Sequence, residues 1–404
     1  MKKLEQRVPN LRFKGFTDDW EQRKLRDIST RVLRKNKDLQ STLPLTISAQ
    51  DGLVDQTTFF HKQVASKQLS NYILLFKGEF AYNKSYSEGY PFGAIKRLNK
   101  YSKGVLSTLY IVFKPKNVNS DFLEHYYDTS KWYREIYRNA AEGARNHGLL
   151  NISAKDFFGT MLYMPQKNEQ ALIANVLDHL DSLITLQQRK LDLLKQLKKG
   201  FLQKMFAEKN SNQPVLRFKG FHDDWEQRKL IQVANYRNGR AHEKDINMNG
   251  NYIVVNSKFV SSNGRVKKFS SKLMEPLNKG EIAFVLSDVP NGKALARTFL
   301  VKEGHKYSLN QRIAGITPHQ NISSYFLYIL MNRNPYFLKF DDGVGQTNLS
   351  KKDVEQFSDH YPSGEEQQMI GKVFGELDRL IALQHQKLAK YQSVKKSLLQ
   401  QMFI

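Results

Sequence analysis

LRFKGFTDDWEQRKL at residues 11–25 returns as LRFKGFHDDWEQRKL at 216–230, identical at fourteen of fifteen positions, with His222 in place of Thr17. A second pair closes each half. EQALIANVLDHLDSLITLQQRKLDLLKQLKKGFLQKMF, from Glu169 to Phe206, aligns without a gap on EQQMIGKVFGELDRLIALQHQKLAKYQSVKKSLLQQMF, from Glu366 to Phe403. The opening segments are offset by 205 residues and the closing ones by 197, so the stretches between them differ by eight residues. Inside those stretches only echoes survive. Lys77-Gly78-Glu79-Phe80-Ala81-Tyr82 answers Lys279-Gly280-Glu281-Ile282-Ala283-Phe284, and Asn151-Ile152-Ser153 answers Asn348-Leu349-Ser350. A constant frame around variable contents reads as one fold used twice with two different surfaces.

The closing segments carry a heptad seam. Ile173, Leu177, Leu180, Ile184, Gln187, Leu191, Leu194, Lys198, Phe201 and Met205 follow alternating four- and three-residue steps, the spacing that keeps one stripe facing a partner helix. Ile370, Phe374, Leu377, Ile381, Gln384, Leu388, Tyr391, Lys395, Leu398 and Met402 repeat it position for position. Gln187 and Gln384 read as register devices, since a polar residue in an apolar seam penalises wrong alignments. About 38 residues at about 1.5 Å each make a helix of roughly 57 Å, longer than a small domain is wide. Such a pair is expected to pack antiparallel as a connector between two bodies. Pro165 and Pro362 mark the helix starts, and Glu169, Glu365 and Glu366 sit where the helix dipole favours negative charge.

The variable regions read as mixed α/β. Strands are expected over Tyr72–Phe76, Val105–Phe113, Tyr252–Val255, Ile282–Leu286 and Ile313–Ile316, and helices over Ser120–Tyr137 and Ser323–Met331. A glycine-containing loop closes each region, 143–148 and 343–348. The expected division is a frame segment at 1–25, a recognition domain at 26–164, a spacer helix at 165–207, and a linker at 208–215. A second frame segment and domain follow at 216–361, and a second spacer helix at 362–404.

Lys plus Arg exceeds Asp plus Glu by 24, which points to a polyanionic partner. The excess is +8 in residues 26–164 and +8 in 210–361, so both variable regions share it. No cysteine is present, which removes disulfides, thiolate zinc sites and cysteine nucleophiles. There is no run of eighteen apolar residues and no apolar signal region, so the expected location is the cytoplasm.

Signs of chemistry are missing. There is no phosphate-binding G-x-x-x-x-G-K-[ST] loop, and the ten histidines lack paired ligand spacing. Asn334-Pro335-Tyr336-Phe337 lacks the second proline of the amino-methyltransferase motif, and no glycine-rich methyl-donor loop precedes it. Asp18-Asp19-Trp20 and its copy Asp223-Asp224-Trp225 belong to the constant frame, where a helix-positioning or protein-contact role is expected.

Trp20-Glu21-Gln22-Arg23-Lys24-Leu25, the Pro-x-x-x-Glu-Gln-x-x-Ile start of each long helix, and the endings Gly200 to Phe206 and Ser397 to Phe403 resemble the DNA-specificity subunit of type I restriction-modification systems. The resemblance covers essentially the whole chain. It implies an α/β, or mixed α+β, fold with two target-recognition domains separated by two long antiparallel helices, related by an internal pseudo-two-fold. Each domain would read one half of an asymmetric split DNA sequence while the helices set the gap. The frame would recruit two copies of a methyltransferase subunit and the ATP-dependent restriction subunits. Such a chain has no catalytic residues, metal or cofactor of its own. S-adenosylmethionine, ATP and Mg2+ belong to its partners.

Base reading calls for Arg or Lys toward guanine and Asn or Gln toward adenine, with other cations on phosphates. By residue type and loop context the candidates are Lys84, Arg97, Lys100, Lys103, Arg145 and Asn146 in the first domain. In the second they are Lys293, Arg297, Gln311, Arg312, Gln346 and Asn348. Two other classes stand beside this reading. A fused methyltransferase or nuclease would need a catalytic motif, and a basic coiled-coil scaffold would bind DNA without sequence preference and with steep salt dependence.

Overall fold

The computed structural model describes residues 7–62, 65, 68–140, 150–208, 211–242 and 244–404. The chain divides into two units. One is Met1–Arg189 with Gln386–Ile404; the other is Lys190–His385. Among the described residues no helix is long and apolar enough to cross a membrane.

In the first unit the chain runs β1 (Glu21–Lys24), α1 (Leu25–Ile28), β2 (Ser29–Arg31), β3 (Leu45–Ser48), β4 (Gly52–Asp55) and α2 (Gln56–Phe60). It continues through β5 (Ile73–Phe76), β6 (Phe80–Asn83), β7 (Ala94–Arg97), β8 (Lys103–Leu106), β9 (Ile111–Pro115), α3 (Ser120–Tyr127) and α4 (Tyr133–Asn139). Last come α5 (Ala154–Gly159), β10 (Met161–Met164) and the 38-residue α6 (Lys167–Lys204), whose residues from Lys190 on belong to the second unit. The second unit runs β11 (Glu226–Lys229), α7 (Leu230–Val233), β12 (Ala234–Asn238), β13 (Tyr252–Val255), α8 (Ser257–Ser261) and β14 (Phe269–Ser270). Then follow β15 (Ile282–Val285), β16 (Ser287–Asp288), β17 (Thr298–Leu300), β18 (Tyr307–Leu309), β19 (Ile313–Pro318), α9 (Ser324–Met331) and α10 (Pro335–Leu338). The chain ends with β20 (Thr347–Asn348), α11 (Lys351–Glu355), β21 (Ser358–Tyr361) and α12 (Gly364–Gln401), again 38 residues.

The duplication persists in the main sheet where the sequence has drifted, although the smaller sheets differ, β3-β4 and β5-β8 in one unit against β14-β13-β18 and β16-β20 in the other. Each unit holds a four-stranded antiparallel sheet, ordered β2-β9-β6-β7 in one and β12-β19-β15-β17 in the other. The Lys-Gly-Glu echo explains its own survival. Glu79 and Glu281 are buried; each accepts a hydrogen bond from the backbone of its own turn, Phe76 N at 2.9 Å and Asn278 N at 2.6 Å. Each also holds an arginine from the first strand region, Arg34 at 2.7 Å and Arg237 at 2.8 Å. The Asn-Ile-Ser and Asn-Leu-Ser echoes end in N-caps, because Ser153 and Ser350 accept from Asp156 N and Asp353 N at the starts of α5 and α11.

The constant frame closes on itself in the same way twice. β1 pairs antiparallel with β10 and β11 with β21, joining each opening segment to the strand just before the helix-start proline. Arg12 Nε and Nη2 donate to Glu169 at 2.7 and 2.8 Å, and Arg217 repeats this on Glu366 at 2.9 and 2.9 Å. Gln170 Nε2 donates to Pro165 O at 2.8 Å while its Oε1 accepts from Asn119 N. Gln367 does the same with Pro362 O and Ser323 N. Thus the Glu-Gln pair of the motif anchors the long helix both to the frame segment and to the variable domain.

The core of the first unit packs Trp20 against Phe122 and Phe403, with Ile173, Ala174, Leu177 and Met402 in the same cluster. That of the second packs Trp225 against Phe326, with Phe206 stacked on Phe326 and Met205 and Ile370 in the cluster. The end of α12 therefore fills in the first unit the place that the end of α6 fills in the second. Backbone bonds agree: Leu11 N donates to Gln401 O at 3.0 Å and Leu216 N to Lys204 O at 2.7 Å. Inside each unit the two helix stretches run antiparallel, tied by Lys395 to Asp181 at 2.6 Å and by Lys198 to Asp378 at 2.5 Å. All twenty seam positions are buried or half-buried, Gln187 half-buried and Gln384 buried.

Two expected elements are split. Val105–Phe113 is not one strand: it breaks into β8 and β9 at a turn where Tyr110 N bonds Ser107 O and Leu109 is exposed. Ser120–Tyr137 breaks into α3 and α4, because Thr129 caps back onto Tyr126 O and Trp132 turns into the core. The Asn334-Pro335 stretch is a helix start, with Asn334 Oδ1 accepting from Tyr336 N and Pro335 in the first turn of α10. Asp18 accepts from Gln166 at 2.7 Å beside the start of α6, while in the second copy Asp224, the counterpart of Asp19, accepts from Gln213 at 2.7 Å.

Candidate nucleic-acid interface

In the second domain the candidates converge. β15 runs out through Leu286, whose N donates to Arg312 O at 3.1 Å and whose O accepts from Leu349 N at 2.8 Å. These two bonds gather three loops: 287–297, the 310–312 turn, and 341–348. The short ladder of β16 with β20 continues the contact, and Gln346 Nε2 donates to Ser287 Oγ at 2.7 Å.

The loops are built to hold shape without a core. Asp288 accepts from Val289 N at 2.9 Å, Ala294 N at 2.5 Å and Leu295 N at 3.1 Å, wrapping its loop around one carboxylate. Gly292 lies against that carboxylate so closely that a Cβ would come within 2.1 Å of it. Asp341 accepts from Gly343 N at 3.1 Å and Asn291 N at 3.4 Å, joining two of the loops. Arg333 braces the set through Gly292 O and Leu295 O. Lys293, Gln311, Arg312, Gln346 and Asn348 are exposed on this surface. Arg297 is half-buried, its Nε donating to Lys293 O. Residue-type reasoning passed over Asn291, and over Val289 and Val344, which are exposed apolar side chains on the same loops. Asn291 was legible as an amide; two valines on a solvated surface carry no signal without the fold.

The first domain is different. Lys84 occupies the corresponding strand exit, its O accepting from Leu150 N at 3.1 Å and its Nζ reaching Ile152 O at 3.4 Å. Arg145 and Asn146 lie outside the described residues. Arg97, Lys100 and Lys103 are not beside Lys84: Asn83 pairs with Ala94, whereas Phe80 at the other end of β6 pairs with Arg97. Lys100 and Lys103 are exposed there, Lys100 over the ring of Tyr101. Near Lys84 the exposed residues include Tyr86, Ser87 and Glu88 and, on the β8–β9 turn, Leu109.

Arg97 is engaged inside its own domain. Its side chain is 14% exposed and pairs with Asp121 at 2.7 Å and Glu124 at 2.5 Å, with further bonds to Asn99 and Ser120. Burial raises the Glu124 carboxyl above its ordinary value against the pull of Arg97. Arg97→Ala is therefore expected to lower stability by about 1–3 kcal/mol, the scale of charged hydrogen bonds, and to leave DNA selectivity unchanged. Urea unfolding followed by tryptophan fluorescence, with a binding assay on the same variant, checks both. Among the described residues no group of three or more His, Asp or Glu is arranged to hold a metal ion.

Comparison with known proteins follows the same lines. Residues 222–392 match the family described as type I restriction modification DNA specificity domain. A 146-residue stretch, 34% of the chain, is 27% identical to the type I restriction enzyme MjaVIII specificity subunit of Methanocaldococcus jannaschii and spans 32% of that protein. The match thus covers about a third of that relative's length. In fold the chain is similar to the S subunit of a type I restriction-modification system from M. genitalium, with TM-score 0.63, 16% identity, and 98% and 99% of the two chains covered. It is also similar to a chain from a structure addressing complex assembly and conformational transition of the type I restriction-modification system, with TM-score 0.54, 15% identity and 94% and 96% coverage.

Proposed function

We propose that this chain, of which residues 222–392 match the type I restriction modification DNA specificity domain, is the sequence-reading subunit of a restriction-modification complex and reads an asymmetric DNA target in two halves. The observation that carries this is the pairing of an identical scaffold with unlike surfaces. The order of the four-stranded sheet, the frame ladders and the buried Arg–Glu pairs are the same in both units, while the residues at the exits of β6 and β15 differ. Two unlike surfaces on one scaffold imply two unlike half-sites.

In this reading Lys293, Gln311, Arg312, Gln346 and Asn348, with Arg297 behind them, contact one half-site, and the region around Lys84 contacts the other. Arg and Lys suit guanine, Asn and Gln suit adenine. The two 38-residue helices, each about 57 Å long, set the gap; a DNA turn is about 34 Å, so contact with two separated groove segments is within reach. Gln187 and Gln384 hold the register. The duplicated frame offers one docking surface twice, which suits two copies of a methyltransferase subunit. Catalysis, with S-adenosylmethionine, ATP and Mg2+, resides in those partners and the restriction subunits.

Replacing residues 26–164 by the equivalent domain of another family member, in the assembled complex, is expected to change one half-site and leave the other half and the gap unaltered. Sequencing of DNA selected by the chimera decides it. A change in both halves contradicts independent reading.

A further inference from the structure

The second domain carries a basic edge that the loops described above do not include. Between Lys244 and Lys272 the chain has Lys244, Lys258, Arg265, Lys267, Lys268 and Lys272 against one carboxylate, Asp245. The corresponding stretch of the first domain, residues 45–72, has Lys62 and Lys67 against Asp51 and Asp55. The excess is therefore particular to the second domain.

The fold draws these cations together. Val254 N donates to Lys268 O at 2.8 Å, so the turn after α8 comes back along β13. The 246–250 loop lies against the same segment: Asn247 N donates to Phe269 O at 3.0 Å, Asn247 Nδ2 to Ser271 Oγ at 2.9 Å, and Gly250 abuts the backbone of Ser270. Lys272 closes it on Asp245 at 2.9 Å. Arg265 Nε is bonded to Ser262 O, whereas Lys244, Lys258, Lys267 and Lys268 are exposed with no carboxylate partner among the described residues. Set among them are three exposed apolar side chains, Ile246, Val266 and Met248, the last 93% exposed.

Unpaired lysines cost little in water, but three apolar side chains left exposed beside them mark a surface meant to be covered. Phosphodiester backbone meets both demands, since phosphates take the lysines and deoxyribose faces take the apolar contacts. We infer that residues 244–248 and 265–272 of the second domain form an anchoring edge for the sugar–phosphate backbone of duplex DNA, separate from the loops that read bases. This rests on the proposed function for its duplex partner.

The test is a triple variant, Lys244→Gln/Lys267→Gln/Lys268→Gln, assembled with the methyltransferase partner and titrated against the selected duplex and a scrambled duplex across a salt series. Each lost phosphate contact should reduce the slope of log affinity against log salt by about 0.9, so the triple variant should lose roughly 2 to 3. Affinity near ~0.1 M salt should fall by on the order of tenfold or more, on both duplexes, with the selected sequence unchanged. The Lys→Arg triple, which keeps charge, should retain the parental slope. An unaltered slope in the glutamine variant overturns the anchoring edge, and so does a shift in the selected sequence, which would make these lysines base readers. If the parent itself prefers neither duplex, the proposed function fails, while the slope on the scrambled duplex still decides the edge.

Discussion

Replacing Glu169 by alanine is expected to lower the stability of the first unit by about 3–5 kcal/mol, the cost of leaving one partner of a buried ion pair without the other. Glu169 is fully buried and Arg12 is 13% exposed, and the guanidinium meets both carboxylate oxygens. The hydrogen bond to Glu169 holds Arg12 above its ordinary pKa, against the desolvation that would lower it. In the alanine variant that charge stays buried without its counter-ion. The pair also ties the opening frame segment to the first turn of α6, so its loss loosens the junction on which both constant segments depend. Because Arg217 and Glu366 repeat the geometry, Glu366→Ala should do the same to the second unit. Trp20 and Trp132 report on the first unit and Trp225 on the second, so fluorescence melts of the two variants, with single tryptophans retained, separate them. The double variant Arg12→Met/Glu169→Leu should recover most of the loss, since removing both charges removes the desolvation problem. A Glu169→Ala protein within about 1 kcal/mol of the parent would contradict this account of the frame.

The second large effect concerns the gap. Duplicating residues 181–187 in α6 together with 378–384 in α12 adds a heptad to each, about 10.5 Å, or about 3 base pairs at ~3.4 Å per pair. The complex carrying both insertions is expected to select the same two half-sites with a gap lengthened by about three base pairs. Insertion in α6 alone should disrupt binding, because every seam residue beyond it, Leu191 to Met205, then meets the wrong layer. An unchanged gap after matched insertions would contradict the helices' role in spacing.

The long helices were the most legible part of the chain. A heptad stripe is a local property, and every position of the seam read from alternating three- and four-residue steps is buried or half-buried in the fold. The frame was equally open, because near-identity over residues 11–25 and 216–230 forces the same ladder and the same Arg–Glu pair twice. What stayed hidden depends on partners distant in sequence. An arginine chosen by residue type and loop context, Arg97, looks available for DNA until Asp121 and Glu124 arrive 24 and 27 residues later. Nothing in VLSTLYIVF announces the turn at Ser107–Tyr110, since Ser-Thr-Leu-Tyr is compatible with a strand and only the pairing of β8 with β5 and of β9 with β6 and β2 separates the ends. In the second domain the residues chosen by type are ones the fold gathers on the loops at the exit of β15. Residue type could not tell that Lys100 and Lys103 lie at the opposite end of the sheet from Lys84.

On the proposed function, one chain reads two unlike half-sites at a fixed gap. Selection from a random duplex library by the chain purified with its methyltransferase partner, at near-physiological salt and followed by sequencing, tests it most directly. The expected outcome is two short, unlike motifs separated by a constant number of unspecified bases. Retained binding with no motif recovered would contradict it and would describe a basic scaffold instead.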